Sequence, residues 1–258
     1  MKPLQGRRIL VTRRREQARS LVDALSAEGA TVLEVPLIAR EPPDDPAPLD
    51  AALGRLERYD WLAFTSANAV EAVAERLARL GMTLPVEVRL ASVGPATAAA
   101  IAARFHGRGA DLQPDSEHRA EGLVDAFRDQ ELSGRRVLLP VSNRARDTLV
   151  AGLRAQRAEV HAVIAYRTVT PPGSEERLAQ ALAEGIDLVT LTSPSAVEAF
   201  EASAGSRARG APAAVIGPVT AEAARAAGLD VKVVAEPSTV EGLLASLARH
   251  FASGSQRG

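Results

Sequence analysis

RRILVTRRREQARSLVDALSAEGATVLEV (7–35) and RRVLLPVSNRARDTLVAGLRAQRAEVHAV (135–163) follow one pattern. Each opens on a basic pair and enters a short β-branched run, RILVT (8–12) or RVLLP (136–140). A stretch of helical period follows, and then a second β run, TVLEV (31–35) or VHAVIAY (160–166). In the first copy Ala18, Leu21, Val22 and Leu25 fall on one helical face, and Gly29 stands where a helix C-cap is expected. Strands separated by a helix of this length predict parallel pairing.

The correspondence continues outward. YDWLAFTSANAVEAV (59–73) matches IDLVTLTSPSAVEAF (186–200), SVGPATAAA (92–100) matches VIGPVTAEA (215–223), and AEGLVDAF (120–127) matches VEGLLASL (240–247). The offset drifts from 128 (7 to 135) through 127 (59 to 186) and 123 (92 to 215) to 120 (120 to 240), as small deletions produce. The order of units is kept, so the chain is a duplicated α/β lobe. Further strands are expected at DWLAF (60–64), RLASV (89–93), DLVTL (187–191), AAVI (213–216) and VKVV (231–234). Their near-continuous apolar character fits parallel sheets covered by helices on both faces.

Two proline-rich segments, AREPPDDPAP (39–48) and YRTVTPPGS (166–174), occupy equivalent places just after the second strand of each copy. Such composition reads as linker. Taken as crossovers, they define an inserted lobe at 46–166 and a discontinuous lobe made of 1–38 plus 172–258. The connectors are then 39–45 and 167–171. Two crossing segments make a hinge, and a ligand site is expected in the cleft between lobes.

Composition narrows the function. Hydrophobic residues make up 46% of the 258 and aromatics only 3%, so the cores are aliphatic. A net charge of −1 removes the global electrostatic case for nucleic acid or an anionic membrane surface. With no cysteine there is no disulfide framework and no thiolate nucleophile or ligand. His106, His118, His161 and His250 lack metal-ligand spacing, so no metal is expected. MKPLQGRRILVT (1–12) runs straight into a strand and no apolar run approaches a membrane span, which predicts a cytoplasmic protein. The tail ASGSQRG (252–258) reads as disordered.

In open parallel sheets, ligands bind at the carboxyl ends of strands beside helix N-termini. AFTSANAVE (63–71) and TLTSPSAVE (190–198) supply one such turn per copy. Asn68 with Glu71, and Ser195 with Glu198, have capping-box spacing, which leaves Thr65, Ser66, Thr192 and Ser193 in the turns facing outward. VGPAT (93–97) and IGPVT (216–220) form the second pair. Gly94 and Gly217 allow close backbone approach, proline suits the first helical position, and Thr97 and Thr220 offer hydroxyls beside free amides. Such helix starts bind carboxylate or phosphate. Neither a Walker loop nor a dinucleotide fingerprint is present, so no nucleotide cofactor is expected. Arg13, Arg14 and Arg15, and in the second copy Arg144 and Arg146, follow a strand end, where anion contact competes with simple solvation. Tyr166 stands at the second crossover, either as packing or as a phenol presented to the cleft. Mirrored hydroxyl and amide turns without a nucleophile suit a large polyanion held by many weak donors.

LVTR (10–13), YDWLAFTSANAV (59–70), SVGPAT (92–97), AEGL (120–123), VIAYRT (163–168), LTSPSAV (191–197) and IGPVT (216–220) together resemble the uroporphyrinogen-III synthase family over roughly residues 7–250. The resemblance implies two flavodoxin-like lobes joined by a two-stranded connector, one lobe discontinuous. It implies hydroxymethylbilane, a linear tetrapyrrole with eight carboxylates, as substrate, closed with loss of water and inversion of ring D. No cofactor is implied. Thr97, Thr220, Ser66 and Ser193 match positions lining the family's cleft, and Tyr166 matches the tyrosine assisting departure of the hydroxyl. The substrate-binding set expected here is Arg13, Thr65, Ser66, Gly94, Thr97, Arg144, Thr192, Ser193, Gly217 and Thr220, with Tyr166 catalytic. Arg14 stands where the family often has proline, and Val141-Ser142-Asn143 where it usually offers Arg-Gly. A monomer is expected, with the upstream hydroxymethylbilane synthase as a transient partner. The alternative is a non-catalytic two-lobed module that binds or senses a tetrapyrrole or another polycarboxylate.

Overall fold

The computed structural model describes residues 2–254, except for the side chains of 15, 16, 253 and 254. The anion contact considered for Arg15 and the tail residues 255–258 lie outside the described residues. In chain order the elements are β1 (Arg8–Val11), α1 (Arg15–Ala27), β2 (Thr31–Glu34), β3 (Ala39–Glu41), α2 (Ala47–Leu53), β4 (Trp61–Phe64), α3 (Ala67–Leu80) and β5 (Arg89–Ser92). Then come α4 (Pro95–Arg104), α5 (Ala120–Ala126), β6 (Arg136–Ser142), α6 (Thr148–Ala155), β7 (Glu159–Val169), α7 (Ser174–Ala183) and β8 (Leu188–Leu191). The last are α8 (Pro194–Ala204), β9 (Pro212–Val215), α9 (Pro218–Ala226), β10 (Asp230–Val234) and α10 (Val240–Gly254). Each strand expected from the sequence is present, within one to three residues at its ends.

The chain divides into two compact units, one of residues 1–39 with 169–258 and one of residues 40–168. In the first unit the sheet order is β10-β9-β8-β1-β2, and all its pairings are parallel. Numbered within the unit, that is the 2-1-3-4-5 order of flavodoxin-like folds. Leu10, Val189, Phe200 and Val215 pack beneath α7, α8 and α9 in one core, while Ile9, Val11, Leu21, Leu25 and Leu243 pack against α1 and α10 in another. Both faces of the sheet are covered, which is why its strands are apolar throughout.

The second unit orders its sheet β3-β7-β6-β4-β5. β6 and β7 stand for β1 and β2 of the other copy, and β4 and β5 for β8 and β9, so each unit draws strands from both copies. The counterpart of β10 has shrunk to one bridge between Ala91 and Leu112, with the Ser92 amide donating to the Leu112 carbonyl at 2.9 Å. Pro114, two residues on, has no amide to extend the ladder. Leu62, Phe64, Val70, Val73 and Phe105 form the core on one face, and Trp61, Phe127, Leu139 and Leu153 the core on the other.

The segments expected as irregular connectors contain regular structure. β3 is not among the expected strands, and β7 runs through Tyr166 to Val169. Prolines 42 and 43 follow β3 rather than interrupt it, and an edge strand needs a partner on one side only. Arg167 on β7 donates to Glu41 at 2.8 Å and to Asp44 at 3.0 Å, pinning the chain after β3 to that strand. Residues 252–254, expected to be disordered, continue α10, whose Phe251 is buried. Gly29 takes φ +94°, as a left-handed helix exit requires, and its counterpart Arg157 (29 + 128) takes φ 64° without being glycine.

Candidate functional site

The turns after β4 and β8 begin helices in the same way. Ser66 and Ser193 are the N-caps of α3 and α8, their hydroxyls accepting from the amides of Ala69 (3.2 Å) and Ala196 (3.1 Å). The capping role assigned to Asn68 and Ser195 is therefore corrected: each helix starts earlier, and the serine left free in the sequence reading is the cap. Thr65 and Thr192, one residue earlier, are half-buried, with no side-chain hydrogen bond among the described residues.

The two caps differ in their second contact. Ser66 Oγ lies 3.1 Å from the Tyr166 hydroxyl, whereas Ser193 Oγ lies 2.9 Å from Ser195 Oγ. Tyr166 is 7% exposed, its ring packed in the core with Phe64 and Val70. Its backbone is held as firmly, since its carbonyl accepts from the Asn143 amide at 3.3 Å and Asn143 Oδ1 accepts from the Thr168 amide at 2.8 Å. Asn143, one of the family departures, thus braces the strand carrying the tyrosine. Beside the ring is a cavity of about 180 Å³ lined also by Arg40, Arg76 and Arg79. Arg40 pairs with Glu75 and Arg76 with Asp50, while Arg79 makes no ion pair or hydrogen bond among the described residues.

The Gly-Pro-x-Thr turns start α4 and α9, with Gly94 and Gly217 as caps and proline in the first helical turn. Thr97 (4% exposed) and Thr220 (3%) are buried, and neither hydroxyl has a hydrogen-bond partner among the described residues. Neither oxygen is among the fully enclosed polar atoms without a partner, so each hydroxyl keeps contact with solvent and remains open to an acceptor on a ligand. The glycines also permit close packing of the chain on itself: a Cβ on Gly94 would lie 2.8 Å from His118 Cβ, and one on Gly217 would lie 2.5 Å from Ser238 Oγ. The neighbouring loop fills the space that each glycine leaves.

His118 and Ser238 escape the sequence reading, in which the histidine is set aside for lack of metal spacing. The signal was there, because the offset of 120 that aligns AEGL with VEGL also aligns 118 with 238. Gly122 and Gly242 in those motifs permit the arrangement. Where their Cβ would stand, the Glu117 carbonyl oxygen is 1.9 Å away and the Pro237 carbonyl oxygen 2.0 Å away. The loop can lie on the start of α5 or α10, and so reach the Gly-Pro-x-Thr turn, only because the side chain is absent.

Arg13 follows β1 directly after Thr12, whose hydroxyl donates to the Thr190 carbonyl at 3.3 Å. It is half-buried without an ion pair among the described residues, and burial, with help from nearby Arg14, draws its guanidinium below the ordinary value. A cation in that state is stabilised by an incoming anion. Arg144 is exposed, and only its amide is engaged, donating to Ser142 Oγ at 3.2 Å. In the first unit the structure thus gathers Arg13, Thr192, Ser193, Gly217 and Thr220 at the carboxyl ends of strands. In the second it gathers Thr65, Ser66, Gly94, Thr97 and Tyr166 there, with Arg144 on the loop after β6.

The sequence profile of the HEM4 family, described as uroporphyrinogen-III synthase HemD, matches residues 19–245. A uroporphyrinogen-III synthase from Synechococcus elongatus is 35% identical over 256 residues, spanning 95% of this chain and 96% of that protein. The porphyrin biosynthesis protein HemD of Ruminiclostridium josui is 31% identical over 95% of this chain, which spans 49% of that longer protein. In fold, the chain resembles a mutant uroporphyrinogen III synthase of Thermus thermophilus with a TM-score of 0.72 at 20% identity, covering 96% of this chain and all of that one. No helix among the described residues is long and apolar enough to cross a membrane. On this sequence match along nearly its whole length, the chain belongs to the uroporphyrinogen-III synthase family.

Proposed function

We propose that this chain closes hydroxymethylbilane to uroporphyrinogen III, with inversion of ring D, using its strand-end turns. The observation that carries the reading is the matched pair Thr97 and Thr220 in the first turns of α4 and α9, largely buried residues whose hydroxyls bond no other group among the described residues and still reach solvent. A substrate with eight carboxylates supplies many acceptors for such hydroxyls, for the adjacent free amides and for the unpaired, half-buried Arg13.

The chemistry needs little from the protein beyond geometry. The terminal C–O bond of the bilane breaks, and the hydroxyl leaves as water with a proton delivered from the Tyr166 phenol. The azafulvene formed is attacked by the substituted carbon of ring D, giving a spiro intermediate. That intermediate fragments and recloses at the other position of ring D, whose last proton then returns to the medium or to the phenolate. In free solution the bilane closes without inversion, so catalysis consists largely in holding one geometry and excluding water. Ser66, at 3.1 Å from the phenol oxygen, orients the hydroxyl, and core packing fixes the ring. Hydrogen bonds from the turns and from Arg13 hold the carboxylates.

The same reading has the enzyme acting as a cytoplasmic monomer that flexes about the two segments joining its units. It receives its reactive substrate from hydroxymethylbilane synthase in transient encounters. The test is an isomer assay: hydroxymethylbilane is generated in situ, the protein added, the products oxidised, and type I separated from type III uroporphyrin by chromatography. Predominant type III is expected. Type I at the level of the protein-free control, from a folded sample, would overturn the enzyme reading in favour of a binding module.

A further inference from the structure

A second cavity, of about 680 Å³, opens in the 40–168 unit at the opposite end of the sheet from the candidate site. Its lining includes Tyr59, two residues before β4, with Arg136 and Glu159, the first residues of β6 and β7, and Arg154 in the last turn of α6. Tyr59 and Thr65 flank β4 at opposite ends, roughly 20 Å apart at the rise of an extended chain.

The lining is strongly unbalanced in charge. It holds four guanidinium groups, Arg55, Arg58, Arg136 and Arg154, against the single carboxylate of Glu159, which Arg136 already engages at 3.2 Å. Arg154 donates to the Val160 carbonyl at 3.3 Å, leaving its charge unmatched. The side chains of Arg55 and Arg58 make no hydrogen bond or ion pair among the described residues. Between these cations stands a built pair: the Tyr59 hydroxyl lies 2.5 Å from His161 Nδ1, and the two rings are stacked at 6.0 Å and 21°. With the phenol donating to Nδ1, the imidazole keeps its proton on Nε2 and offers a further donor. Burial raises the Tyr59 phenol above its ordinary value, while Arg55 and Arg136 oppose that effect, as expected of cations close to its oxygen.

A solvated basic face scatters its charges, and exposed arginines on such a face commonly find carboxylates. Here four converge on one concavity around a fixed aromatic pair. We infer that this cavity is a binding site for a small polyanion carrying two or more carboxylate or phosphate groups, separate from the strand-end turns that handle the bilane. Guanidinium forks engage carboxylate and phosphate alike in bidentate fashion, and the tyrosine–histidine stack gives a flat ligand body a surface to lie on.

Calorimetric titration with inorganic pyrophosphate and, separately, with benzene-1,2,4,5-tetracarboxylate tests this at low ionic strength. The proteins to compare are the wild type, the double variant Arg55→Gln/Arg58→Gln and the strand-end variant Thr97→Val. At least one probe is expected to bind the wild type, to bind the double variant at least about tenfold more weakly, and to bind Thr97→Val unchanged. The preferred probe tells phosphate from carboxylate. Both arginines are exposed and outside the proposed catalytic machinery, so the double variant should keep its fold and basal turnover. Absence of binding to the wild type at millimolar probe, equal affinity in the double variant, or loss of binding in Thr97→Val would each overturn the inference.

Discussion

Replacing Gly122 or Gly242 by alanine tests the device on which the Gly-Pro-x-Thr turn of each unit rests. In most helical positions such a change stabilises by about 0.5–1 kcal/mol, because glycine carries extra backbone entropy. Here the added carbon would lie 1.9 Å from the Glu117 carbonyl oxygen, or 2.0 Å from that of Pro237. Close carbon–oxygen contacts in proteins stand at about 3.3 Å, so loop and helix must part by roughly 1.4 Å. The obstacle is backbone, and rotating a side chain does not relieve it. Overpacking of this kind costs about 1–3 kcal/mol, which outweighs the propensity gain and leaves each variant roughly 1–2 kcal/mol less stable. For a chain of this size that lowers the melting temperature by roughly 2–8 °C. Gly109→Ala is the control, since a Cβ there meets nothing within 4 Å. Function should follow in Gly122→Ala even well below its melting point. His118, four residues upstream, is carried off Gly94 with the loop, so KM for the bilane should rise. Thermal denaturation with isomer-resolved kinetics provides the check. Variants at 122 and 242 as stable as the wild type, with unchanged KM, would refute the loop-on-glycine argument.

Thr97→Val and Thr220→Val each remove a hydroxyl that bonds no other group among the described residues, so urea midpoints should hold or rise slightly while kcat/KM falls about tenfold. Tyr166→Phe should fold normally and lose at most about 10²-fold in turnover, without a shift from type III to type I product. Arg157→Gly relieves a left-handed residue and should raise the urea midpoint, by about 0.5–1 kcal/mol in stability. Asp50 accepts two bonds of 2.5 Å from Arg76, and that hydrogen bonding holds its carboxyl below the ordinary value. Its contribution is therefore present above the unfolded pKa of about 3.9 and lost as pH falls through the lower folded value. Denaturation from pH 6 to about pH 2 should accordingly show Asp50→Asn less stable than wild type at the upper end, with the gap closing in acid.

The repeat itself was the most legible feature, because duplication leaves period and order in the sequence even after identities drift. The nine expected strands are found for the same reason, since buried parallel strands must be apolar on both faces. What misled was composition read as structure. Prolines 42 and 43 made the stretch from Ala39 onward look like linker, yet β3 needs only one neighbour and ends before them. Asn68 and Ser195 had the spacing of caps, yet the helices start earlier and take Ser66 and Ser193.

The sequence by itself determined the duplicated α/β architecture, the places where helices begin beside strand ends, and the hydroxyls stationed there. These are local or periodic properties, carried by alternation, helix period and proline position. Tertiary structure decided which of those hydroxyls are committed. Ser66 lies against Tyr166 one hundred residues away, and Ser193 against its neighbour Ser195. Thr97 and Thr220 are buried with nothing to bond among the described residues. It also decided why Gly94, Gly122, Gly217 and Gly242 are glycines, since what occupies the space beside each is a loop brought there by the fold. Contacts of that kind depend on which segments meet in space, and pattern along a single chain carries no direct record of it.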